Sequence, residues 1–107
     1  MPQAKRIRLD CDPRSAKAFA EAIRRYAHAA YPPGGSECSQ VAFETLQDTA
    51  RDIVQHGVDQ ATAVIEVPRR QRAMLRAALE WYLEQADAEV TPMLRRHLSQ
   101  LRPRSRR

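Results

Sequence analysis

Apolar and polar positions alternate at the start of the chain. Ile7, Leu9 and Cys11 interleave with Arg6, Arg8 and Asp10, the period of two of a half-buried strand over residues 5–11. Asp12-Pro13 then reads as an N-cap followed by a proline at the first helical position, where its missing N–H is harmless. The spacing of Ala16, Phe19, Ala20, Ile23, Ala27 and Ala30 by threes and fours predicts a first helix to about residue 30. Tyr31-Pro32-Pro33-Gly34-Gly35 ends it. Ser36 is a capping residue for a second helix over 37–56, with Gly57 as its C-terminal glycine and an inner stripe of Cys38, Val41, Ala42, Leu46, Ala50 and Ile53.

After a turn, the short β-branched run 62–67 predicts a second strand. Pro68 opens a third helix to about residue 87, with Leu75, Ala78, Leu79, Tyr82 and Ala86 inward and Met74, Trp81 and Leu83 widening the stripe. Thr91-Pro92 caps a short fourth helix carrying Leu94, Leu98 and Leu101, and residues 102–107 form a basic tail that reads as mobile. The expected fold is mainly α with a minor β component, ordered strand, helix, helix, strand, helix, helix. Phe19, Ile23, Leu46, Ile53, Leu75 and Leu79 form its expected core. An isolated strand pair is marginal in water unless helices cover it or a second chain extends it. A shift of 55 residues lays Pro13 over Pro68, Arg14 over Arg69, Ala18 over Ala73 and Ala22 over Ala77, which suggests a shared strand-to-helix device more than a duplication.

Composition narrows the class. With 107 residues, 43% hydrophobic and 29% charged, the chain describes one globular domain over residues 1–101. A chain of this size buries roughly two-thirds of its unfolded surface and needs no metal or disulfide framework. No apolar run approaches the roughly 20 residues of a membrane span, and Met1-Pro2-Gln3-Ala4-Lys5-Arg6 lacks a signal peptide's apolar stretch. A cytoplasmic protein with no membrane association is expected. Cys11 and Cys38 suit a reducing compartment, as two small buried side chains or, should the strand pack on the second helix, a redox pair.

No chemistry-bearing constellation is readable. The chain has no phosphate loop or nucleophile motif, and His28, His56 and His97 have no chelating neighbour at three or four residues. Neither catalysis nor a cofactor nor a bound metal is expected.

Charge says more. The net charge of +5 hides strong segregation: Glu37, Glu44, Asp48, Asp52, Asp59 and Glu66 face Arg51 alone. Arg69, Arg70, Arg72 and Arg76 follow without an acid, and Glu80, Glu84, Asp87 and Glu89 follow those without a base. The third helix therefore runs basic to acidic, opposed to its own macrodipole. A second copy lying antiparallel would answer this, as would the fourth helix and tail folding back, or a solvated charged face. Trp81 and Tyr82 point about 100 degrees apart on a helix, so one of them reaches a boundary or an interface, or both are partly covered. Arg72, Met74, Arg76, Glu80, Trp81, Leu83 and Glu84 are the expected partner or dimer surface.

Two functions fit this layout. The first is a small, non-enzymatic, homodimeric regulator that binds another protein. The second is a nucleic-acid-binding accessory using Lys5, Arg6, Arg8, the Arg69 cluster and the terminal arginines for weak, nonspecific affinity. The acidic second helix is a poor recognition helix for a polyanion. The segments Arg6-Ile7-Arg8-Leu9-Asp10-Cys11-Asp12-Pro13 and Ala30-Tyr31-Pro32-Pro33-Gly34-Gly35, with the short length and arginine-rich tail, resemble small bacterial quorum-sensing anti-activators of the QslA type. The resemblance implies a transcription activator of the LuxR type as the partner, held inactive. It carries over no binding residue.

Overall fold

A computed structural model describes residues 6–11, 13–59, 63–85 and 91–101. The order is β1 (Arg6–Cys11), α1 (Pro13–Ala30), α2 (Glu37–Asp59), β2 (Ala63–Pro68), a 3-10 turn (Arg69–Gln71), α3 (Arg72–Leu83) and α4 (Thr91–Leu101). The molecule is mainly helical, with four helices among the described residues. The strands pair antiparallel with Ile7 opposite Val67 and Leu9 opposite Ile65. Leu9 and Val67 are buried from the sheet side, where α4 packs on β1 and α2 on β2. Helices thus shelter a strand pair that would be marginal alone.

The central element is α1, which touches α2, α3, α4 and β1. Its alanine-rich stripe permits this: Ala16, Ala20, Ala22 and Ala27 are fully buried around Phe19 and Ile23. Leu46, Ala50 and Ile53 of α2, Leu75, Ala78 and Leu79 of α3, and Leu94, Leu98 and Leu101 of α4 close the core. His97 is buried too, its ring stacked on Phe19 with centroids 5.1 Å apart. Ser36 caps α2 as expected, its Oγ accepting the Ser39 backbone N–H at 3.2 Å. Gly34 takes φ +89, the left-handed conformation that reverses the chain before that cap.

Several expectations need correction. Cys38 and Val41 do not lie on the inner stripe of α2, because its buried face runs through Leu46, Phe43 and Ser39 and turns away from residues 38 and 41. Ala30 is exposed where α1 runs past its neighbours. Gly57 does not end α2, which continues to Asp59; a glycine lowers helix stability by about 1 kcal/mol without breaking it. Whereas Pro13 is the first residue of α1, Pro68 precedes its helical segment as the cap of a 3-10 turn. Extended at φ −61 and ψ 132, it closes β2 opposite Arg6, a ladder-end position that tolerates a missing N–H. A 3-10 turn then leads into α3, so the proline device of the 55-residue shift is shared only in part.

Helix α3 stops at Leu83, short of residue 87, because its last turn tightens. The Gln85 N–H donates to the Tyr82 carbonyl at 2.9 Å and the Gln85 side chain donates to the Trp81 carbonyl. Asp12, Ala86, the acids at 87 and 89, and the tail 102–107 lie outside the described residues.

Candidate surface of the third helix

The start of α3 is anchored by a buried polar pair with no sequence signal. Thr49 Oγ1 on α2 donates to Gln71 Oε1 at 2.7 Å, both side chains being more than nine-tenths buried. This bond ties the 3-10 turn to α2, while Leu75, Ala78 and Leu79 seat the buried face of α3 in the core.

The expected surface residues do not share one direction. Arg72 and Arg76 are half-buried, with their Nε atoms out of contact with water. Arg76 also faces Glu80 within the same helix, N to O 3.8 Å, so part of the charge is answered locally. A basic residue ahead of its acid is the weaker orientation of such a pair. Met74 turns toward α2. Trp81 and Tyr82 are both half-buried, the partly covered alternative. Trp81 packs edge to face on Tyr26 of α1 at 6.0 Å, and Arg25 lies over the Tyr82 ring at 5.9 Å. Leu83 and Glu80 line a hollow of about 280 Å³ against Arg95, Leu98 and Ser99 of α4. Glu84 is exposed.

Two features of this surface differ from the expected one. The first is the solvent face of α3 and its leading turn: Arg69 and Arg70 at one end, Ala73 in the middle, Glu80 and Glu84 at the other, all exposed. The helix has no acid in its first turn and no base in its last. The second is an open, shallow groove of about 480 Å³ along α2, lined by Cys38, Val41, Ala42 and Thr45 with Glu37 at its end, and with Met74 as the one lining residue from α3. Val41 is 62% exposed there, the one large hydrophobic residue so exposed among the described residues. A careful drift of the α2 stripe from Leu46 through Phe43 to Ser39 was the signal that could have found it.

The other chemistry-bearing residues do not converge. Cys38 is an exposed free thiol, not a small buried side chain and not bridged, and the side chains of Cys11 and His56 lie outside those described. Among the described residues, no group of three or more His, Cys, Asp or Glu could hold a metal, and no helix is long and apolar enough to cross a membrane.

Tyr26 sits between Trp81 and Tyr31, whose ring meets it edge to face at 6.4 Å. Burial, with a smaller contribution from Tyr31, pushes its phenol above the ordinary value of 10.0. The folded chain therefore keeps this proton after the unfolded chain has lost it, and stability falls as pH rises past 10.0. Tyr26→Phe is expected to shrink the drop in melting temperature between about pH 9 and pH 11, followed by circular dichroism. An undiminished drop would show that the aromatic cluster does not exclude the phenolate.

No family model matches this chain, and no curated protein or solved structure is significantly similar to it.

Proposed function

We propose that this chain is a small regulatory protein, without catalysis of its own, that occupies a surface on another protein. The proposed partner is a transcription activator of the LuxR type, and the proposed outcome is inhibition. The observation that carries the reading is the α2–α3 groove, where Val41, Ala42 and Met74 present apolar surface between two helices. Such a groove accepts the apolar face of a partner helix. Inhibition by a LuxR-type route rests on the resemblance of residues 6–13 and 30–35 and on nothing in the groove itself.

We further propose a homodimer through the solvent face of α3. Its arginines and glutamates are self-complementary when two copies run antiparallel across a two-fold axis, and Ala73 allows close approach. Since Met74 turns toward the groove and Ala73 away from it, dimer and partner use adjoining faces of one helix.

A reporter driven by a LuxR-type activator tests the function. Co-expression of the chain is expected to silence the reporter and Val41→Glu to restore it, because a carboxylate in the groove opposes an apolar partner face. Silencing that survives Val41→Glu would remove the groove from the account. The second reading, a polyanion-binding accessory, is favoured by exposed Arg69, Arg70, Arg95 and Arg96, and salt-dependent retention on heparin at physiological ionic strength would favour it.

A further inference from the structure

The turn between α1 and α2 collects groups that attract a cation, for four separate reasons. Residues 32 and 33 would continue the α1 ladder onto the carbonyls of His28 and Ala29, but both are prolines and have no N–H. The last regular bond there is Tyr31 N–H to the Ala27 carbonyl at 2.9 Å. The helix thus ends in carbonyls without their usual donors, at the negative end of its dipole.

Beside this end lies a pocket of about 260 Å³, and of the two residues whose carbonyls lose a donor it is His28 that lines it. Tyr31 and Phe43 line it, and His28 packs edge to face on Phe43 with centroids 5.0 Å apart. The faces of the Tyr31 and Phe43 rings are negative. Glu44 adds a carboxylate at the rim; it is exposed, and no ion pair among the described residues engages it. Gln40 donates from Nε2 to the Gly35 carbonyl at 3.3 Å, which leaves its Oε1 as a further acceptor.

We infer that this pocket receives the guanidinium of an arginine presented by another protein chain. A guanidinium is flat, so it stacks on a ring, and it carries N–H donors that meet a carboxylate and carbonyls together. A quaternary ammonium has no donor for those carbonyls. The volume lies below the roughly 300–1,000 Å³ usual for sites that enclose a drug-sized molecule, and suits a headgroup whose stem leaves toward solvent. Only the source of the arginine rests on the proposed protein-binding function; no residue lines both this pocket and the α2–α3 groove.

The full chain, uniformly labelled with ¹³C and ¹⁵N, is titrated with N-acetyl-arginine methylamide and followed by NMR. Saturable shifts at Tyr31, Gln40 and Phe43 are expected, with ring-current upfield shifts of the ligand's δ-methylene protons. N-acetyl-citrulline methylamide, of the same shape without the charge, is expected to leave them unmoved. Glu44→Gln is expected to weaken binding about tenfold by removing a charge-assisted hydrogen bond. Phe43→Leu is expected to weaken it roughly two- to fivefold by removing a ring face at constant bulk.

No saturable shift up to about 50 mM ligand overturns the inference, as does equal binding of the citrulline compound or indifference to Glu44→Gln. Should Phe43→Leu fail to fold, the exposed Glu44 decides alone. Shifts of the same resonances on concentrating the protein without ligand identify a second copy as the source of the arginine. Their absence, with the ligand still binding, assigns the source to a different chain. A partner that still binds Val41→Glu would defeat the groove and leave this titration unchanged.

Discussion

Leu79→Ala is expected to destabilise the fold by about 2–5 kcal/mol, a large share of the roughly 5–15 kcal/mol that holds a small domain together. Leu79 is fully buried in the core that α1 shares with the other helices, so truncation leaves a cavity as well as losing apolar burial. At about 4–8 °C per kcal/mol for a chain of this size, the melting temperature falls by some 10 °C or more. Urea unfolding measures the same loss as a lower midpoint at unchanged slope. Val41→Ala, at an exposed position, is the control and should stay within about 0.5 kcal/mol of wild type. If Leu79→Ala melted with wild type, α3 would not be docked on α1 through this face.

Reversing the basic end of α3 is expected to break the proposed dimer. Arg69→Glu with Arg70→Glu faces glutamate against Glu80 and Glu84 of the second copy, and the symmetry applies each change twice. Exposed pairs contribute about 0.2–1 kcal/mol each, so the dissociation constant should rise roughly tenfold or more. Adding Glu80→Arg and Glu84→Arg is expected to restore much of the affinity by inverting both ends. Sedimentation equilibrium at low salt measures it, since screening weakens exposed pairs. A dimer indifferent to the reversal would place self-association on another face. Arg72 and Arg76 are poorer probes, because their half-buried stems contribute packing that a glutamate would also remove.

Period and capping made most of the fold legible. Ser36, the Pro-Pro-Gly-Gly turn and the alternation of Ile7 with Leu9 act locally, within a few residues, and the elements they mark stand where expected. The failures are tertiary. Pro68 reads as the first residue of a helix because Pro13 is one, yet it ends β2 opposite Arg6 and caps a 3-10 turn instead, and no local reading contains that strand partner. Gly57 carried a stop signal that continuing α2 overrode.

Val41 matters most for the candidate surface. Apolar and spaced three from Cys38, it fits an inward stripe on α2 as well as Phe43 does, and only the actual rotation of the helix tells them apart. The same holds for Thr49 and Gln71, two ordinary polar residues until the fold brings them to 2.7 Å. Charge segregation was visible in the chain. Which arginines remain exposed was not, because burial depends on how α3 is seated on the core.

Isothermal titration of the purified chain against the purified ligand-binding domain of a LuxR-type activator measures the central claim, a protein partner seated in the α2–α3 groove. The account predicts saturable binding with a negative heat-capacity change from buried apolar surface, abolished by Val41→Glu while the variant melts like wild type. Binding of equal strength by folded Val41→Glu, or no heat from wild type at tens of micromolar, would contradict it.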